Sequence, residues 1–300
     1  MKAVSISFGN QQKQTENKPE SSTLRKVLGI SLGTVAGAIL PYNTFKTAIS
    51  TCDVTTKGII LQFHHFTMPD IDSFSHNKEA AENALERTGL KGKGVKLFIA
   101  NKNNVAEIKN IIAGDFPHCY PFRNRIIESF AQQCSNGINA CYTEKEKNII
   151  INSKELFSAV FHEIGHAMNA NNSIFMKLIQ KAKRITPFGV PIVGLGFLAM
   201  GLLHKTKPEE KDKSKFEKSK DFIKNNAGKL TFLTFLPMLI EEGAASIKGL
   251  KLAKKCFKPE QVTRLSKNYL FAYSTYFTVA VLSSLLISLG IKIKDKIAPN

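Results

Sequence analysis

Residues 269–291 run for 23 positions without a charge. As a helix that run measures about 34 Å, which exceeds the ~30 Å hydrocarbon core of a bilayer. It reads as a membrane crossing and restricts the chain to folds built around spanning helices. Tyr269, Tyr273 and Tyr276 gather at one end of it, where an interfacial aromatic belt would lie.

Three further apolar stretches accompany it. Residues 186–203 are 18 uncharged positions between Arg184 and Lys205, about 27 Å as a helix. Pro187 and Pro191 fall near its start, where a helix tolerates proline best. Residues 230–240 are only 11 positions, roughly 16 Å, too short to cross alone. They are expected to pair with 186–203 as a transmembrane helical hairpin. Residues 27–40 form a glycine-rich apolar run closed by Pro41, read as an uncleaved membrane anchor rather than a signal segment.

His162-Glu163-Ile164-Gly165-His166 spells H-E-x-x-H. On a helix, histidines four apart share a side, and two imidazoles there can grip one zinc ion. Glu163 can then act as the general base on an attacking water. The context suits a helix. Residues 147–151 read as a β-branched strand, and Asn152 or Ser153 is expected to cap the helix after it. Leu156, Val160, Ile164 and Ala167 recur at helical spacing. Gly165 costs the helix about 1 kcal/mol relative to alanine, and it would let another segment approach the metal closely.

A catalytic zinc takes three protein ligands and keeps one position open. The metzincin continuation requires a glycine and a third histidine, and those positions hold Asn169 and Asn172. The third ligand must come from elsewhere. Glu241 and Glu242 follow an apolar run directly, a costly placement that a metal would offset. Glu242 is preferred over Glu241 because Ser246 lies four residues on, on the same face. Ser246 could there hydrogen-bond and orient His162 or His166.

These motifs resemble those of integral-membrane zinc metallopeptidases of the gluzincin type. His162–Ala167 and Glu242-Gly243-Ala244-Ala245-Ser246 are similar to the H-E-x-G-H-A and E-x-x-A-S motifs of bacterial neutral zinc metallopeptidases. Heat-shock membrane proteases and prenyl-protein endopeptidases carry aspartate where this chain has Ser246, so the resemblance favours the first group. Asn139-Ala140-Cys141 and strand 149–151 resemble the strand pair before the zinc helix in the prenyl-protein enzymes. The resemblance covers roughly residues 137–291. It implies Zn2+ on His162, His166 and Glu242, Glu163 as base, and a protein or peptide substrate, membrane-associated by analogy.

The net charge of +18 invites a nucleic-acid partner. Yet the excess lies in segments that flank the apolar runs. Residues 204–229 hold nine lysines against five acids, and 248–267 hold seven basic residues against one acid. Such charges meet anionic lipid and set topology. No nucleic-acid module appears, so the expected partners are substrate and bilayer. The basic segments fall on both sides of the hairpin and do not agree on an orientation. Five cysteines without a C-x-x-C pair read as free thiols. His64-His65 is adjacent rather than spaced for one metal, and His118 beside Pro117 could serve as a transition-state donor.

The expected architecture is mostly α, integral-membrane and multi-pass, with a zincin-like active-site helix, a small β-sheet beside it and the hairpin. Residues 1–25 are a flexible tail and 26–42 an anchor. Residues 43–185 are the catalytic region, with helices near 78–89 and 104–113 and a strand at 95–100. The hairpin occupies 186–241 with loop 204–229. Residues 242–268 carry the third ligand, and 269–292 cross. The expected activity is membrane-bound zinc-dependent peptide hydrolysis. The alternatives are a catalytically silent, zinc-stabilised scaffold and a basic membrane-surface adaptor without metal.

Overall fold

A computed structural model describes residues 20–35, 74–116, 118, 123–152, 159–204 and 213–297. The fold is mostly helical. A three-stranded sheet has the order β1-β3-β2, with β1 Lys96–Ala100, β2 Cys141–Thr143 and β3 Asn148–Asn152. β1 runs parallel to β3 with Lys96 opposite Asn148. β2 runs antiparallel to β3 with Cys141 opposite Ile150. A strand pair precedes the histidine helix as expected, but its first strand starts at Cys141, with Asn139 and Ala140 outside it. Its connecting turn is held by Asp115, whose carboxylate accepts from the backbone N–H groups of Glu144 and Lys145 at 2.7 and 2.9 Å.

The sheet separates two cores because strand side chains alternate. Ile149 and Ile151 face one side, and Ile150 faces the other. Under Ile150 lie α3 (Val105–Ala113) and α4 (Arg123–Ser135), through Ile108, Ile112, Ile127 and Ala131. Over Ile149 and Ile151 lie α2 (Phe74–Arg87) and α5 (Val160–Asn172), the helix with both histidines. Ala81 and Ala84 of α2 share this core with Val160, Phe161 and Ile164 of α5.

α5 starts at Val160, and Ala159 at its N-cap makes no side-chain cap hydrogen bond. Asn152 ends β3 instead of capping, because its side-chain amide donates to the Ser135 carbonyl at 2.7 Å. Ser153 and Leu156 lie outside the described residues.

Three long helices complete the chain: α6 (Ile174–Leu203), α7 (Lys215–Ala253) and α8 (Pro259–Ile297). α6 and α7 pack as an antiparallel pair, and α8 packs on both. Leu198 and Leu202 of α6, Ala227 of α7 and Ile287 and Ile291 of α8 make one contact layer. Phe235 and Leu239 of α7 with Ala280 of α8 make a second. Small residues bring the axes close: a Cβ on Gly228 would lie 2.5 Å from the Ser284 carbonyl oxygen.

α7 and α8 are both long and apolar enough to cross a membrane. Their outer faces expose Leu233, Leu270, Phe271, Phe277, Leu282, Leu285 and Leu289. Within α6, the apolar part whose side chains are described is 192–203, shorter than a span.

Two segment boundaries differ from expectation. The loop expected through 229 gives way to helix at Ser214, because Ser214 and Glu217 form a reciprocal capping box. Lysines 215–229 therefore decorate a helix, and the short 230–240 run is the middle of a 39-residue element. The tail expected through 25 likewise ends early. Helix α1 covers Glu20–Thr34 and packs on α8, where a Cβ on Gly33 would meet the Gly290 carbonyl oxygen at 2.7 Å. The rest of the expected anchor, 36–42, the tail before Glu20, His64, His65, Cys52, Cys119 and residues 205–212 lie outside the described residues.

Candidate metal centre

His162 and His166 lie one turn apart on α5, with ring centroids 4.5 Å apart. Their Nε2 atoms face each other at 2.9 Å. Glu242 of α7 closes the group: its Oε2 is 3.2 Å from His162 Nε2 and 3.8 Å from His166 Nε2. All three ligating atoms lie within 4.8 Å of one another. The carboxylate arrives from 80 residues away in sequence because α7 crosses α5 at almost no side-chain distance. Gly165 of α5 lies against the Ala245 backbone, and Gly249 of α7 lies against the Phe161 backbone.

Each ring is also held from behind. His166 Nδ1 is 2.6 Å from Glu241 Oε1, and His162 Nδ1 is 3.1 Å from Ser246 Oγ. A carboxylate only accepts, so Nδ1 of His166 carries the proton, and its Nε2 turns a lone pair to the cluster in the neutral ring. Two imidazole nitrogens at 2.9 Å need a proton or a cation between them. Burial lowers the proton affinity of His166, but the charges of Glu241 and Glu242 and the Glu241 hydrogen bond together outweigh it and leave the ring pKa above its ordinary value.

Adjacent residues on a helix point about 100° apart, and this splits the two glutamates between different tasks. Glu242 and Ser246, four apart, both reach His162. Glu241 is fully buried and does not join the three-atom group. Besides His166 it accepts from Asn169 Nδ2 at 3.2 Å and Lys183 Nζ at 2.7 Å. Asn169 in turn accepts from Lys248 Nζ at 2.5 Å.

Glu163 is buried on α5. Its charge reaches Cys141 at the start of β2: the Cys134 thiol and burial push the Cys141 thiol up, and Glu163 adds to that. Cys134, Cys141 and Cys256 are free thiols, with 3.9 Å between Cys134 Sγ and Cys141 Sγ. Tyr269, at the head of the long apolar run, sets its ring 5.3 Å from that of His162. His118 is exposed.

Sequence pattern does not single out Lys183, Asn169 and Lys248 as site residues. Lys183 precedes an uncharged run and looks like a membrane-flanking base. Asn169 stands out only as a position lacking a metzincin glycine. The one usable signal is the spacing of Asn169, three residues past His166 and therefore on its face.

No family model matches the chain, and no curated protein or solved structure matches it either.

Proposed function

We propose that the chain is a membrane-anchored, zinc-dependent peptide hydrolase. One observation carries this reading: His162, His166 and Glu242 offer two imidazole nitrogens and one carboxylate oxygen in a single cradle. A tetrahedral zinc with ligands at ~2.0–2.1 Å sets them about 3.3 Å apart. The three separations here, 2.9, 3.2 and 3.8 Å, scatter around that value. Among the described residues three ligating groups converge, which is the count of a catalytic site rather than a closed structural one. The Nδ1 partners Glu241 and Ser246 supply the ring-orienting hydrogen bonds that such sites use.

Zinc, when bound, would acidify a water towards a pKa of ~7 and polarise the scissile carbonyl. The chain's own part is positional and protonic. Glu163 takes the proton of the attacking water and delivers it to the leaving amine. Burial of Glu163, His166 and Glu242 keeps these groups out of bulk solvent, which strengthens their interactions.

Membrane anchoring rests on α7 and α8, each long enough to cross and each exposing large apolar side chains. Helix pairs that meet through Gly33, Gly201 and Gly228 are the packing that lipid favours, because close backbone approach replaces the hydrophobic driving force there. Such an anchor makes membrane-associated proteins or peptides the natural substrates.

The test uses detergent-purified protein. The parent should carry about one zinc per chain and cleave an unfolded protein substrate. Glu163→Gln should keep the zinc and lose the cleavage. Equal cleavage by that variant sinks the mechanism, and absence of zinc in the parent sinks the whole reading.

A further inference from the structure

Lys183 stands on α6, outside both helices that supply the cradle. Its Nζ is 2.7 Å from Glu241 Oε2 and 2.5 Å from Glu242 Oε1. Glu242 is therefore divided, with Oε1 on the ammonium and Oε2 turned to the histidines. Glu241 is divided in the same way, with Oε2 on the ammonium and Oε1 on His166 Nδ1.

We propose that Lys183 is a positioning residue that makes Glu242 a one-oxygen ligand and so keeps the fourth coordination position open. This rests on the reading of the cradle as a metal site. A carboxylate can ligate through one oxygen or through both. With Oε1 tied to Lys183, only Oε2 is available. Without that tie, rotation about the last side-chain bond would present both oxygens, and the second would take the place a water needs.

Charge balance supports the same role. Glu241 and Glu242 are adjacent and buried, and like charges that close repel strongly at low dielectric. The Lys183 ammonium stands between the two and offsets that repulsion. The contact also ties α6 to the site, so the first arm of the helix pair sets the geometry of a ligand on the second.

The test is cobalt(II) substitution of the detergent-purified protein, comparing the parent with Lys183→Met, Lys183→Gln and Lys183→Arg. Cobalt reports coordination number through its visible absorption, which is strong for four ligands and weaker for five. Chelator competition gives affinity in the same samples. Lys183→Met should shift the spectrum towards five-coordinate and change cobalt affinity by about 10–100-fold. Lys183→Arg should restore the parent spectrum, because a guanidinium fork can bridge both carboxylates. Lys183→Gln replaces Lys183→Met if the latter does not fold, with the same expected spectral shift. Parent-like spectra and affinities in the neutral variants overturn the proposal while leaving the metal reading intact. A parent that takes up no cobalt and no zinc overturns both.

Discussion

Gly165 of α5 and Ala245 of α7 touch backbone to backbone: a Cβ on Gly165 would sit 2.1 Å from the Ala245 carbonyl oxygen. This contact puts α7 close enough for Glu242 to reach the histidines. The glycine inside the H-E-x-x-H motif thus offsets its poor helix propensity with a close helix crossing.

Gly165→Ala should consequently reverse the usual sign of a helical Gly-to-Ala change. In an exposed helix the change stabilises by about 1 kcal/mol. Here the obstacle is backbone, so the helices must separate, at a cost on the order of 1–3 kcal/mol or more. Thermal unfolding in detergent should show a lower midpoint, and metal analysis should show reduced zinc. Gly249→Ala should behave alike, because its Cβ would lie 2.5 Å from the Phe161 carbonyl oxygen. An unchanged midpoint in both variants contradicts the crossing.

Ser246→Ala removes the hydrogen bond on His162 Nδ1 while leaving all three proposed ligands. Zinc affinity should fall by about 10-fold, at the low end for orienting groups. Glu241→Gln disturbs more, since that carboxylate meets His166, Asn169 and Lys183 together, and about 100-fold is expected. Chelator competition measures both, and equal affinity in the two variants and the parent would show that the rings need no such support.

If the cradle holds zinc as proposed, removing the ion should destabilise the protein by mass action. At a free-zinc concentration about 100-fold above Kd the ion contributes about 2.7 kcal/mol. A strong chelator should lower the unfolding midpoint of the parent and leave His162→Ala almost unmoved. A midpoint indifferent to chelator in the parent would mean that no ion is linked to folding.

Leu285 lies exposed on the outer face of α8, within the uncharged run. If that face meets lipid, Leu285→Arg should cost about 2.5–3.5 kcal/mol near the bilayer centre. The variant should then shift from the carbonate-resistant membrane fraction to the soluble or degraded pool. Unaltered fractionation of the variant, or a soluble parent, would show that α8 is not a crossing helix.

Local pattern was legible wherever one element decides it. The β-branched run 147–151 is β3, the 3.6-residue repeat around Ile164 is α5, and the apolar run 269–291 lies within α8. The i, i+4 rule also placed Ser246 on the face of Glu242, and both reach His162. The start of α7 reads wrongly as loop because of the lysines around it, although Ser214 and Glu217 have capping-box spacing.

The sequence alone was enough to mark the histidine helix, strand β3 and the apolar run of α8, and to single out His162, His166 and Glu242, which the fold brings together. These follow from short-range periodicity and from the chemistry of the side chains. Only the tertiary structure gave Glu241 its place behind His166, recruited Lys183 from a third helix, and set Asn169 behind the site. Those choices depend on where α5, α6 and α7 cross and at what rotation, and crossing geometry comes from packing between distant segments rather than from the pattern within any one of them.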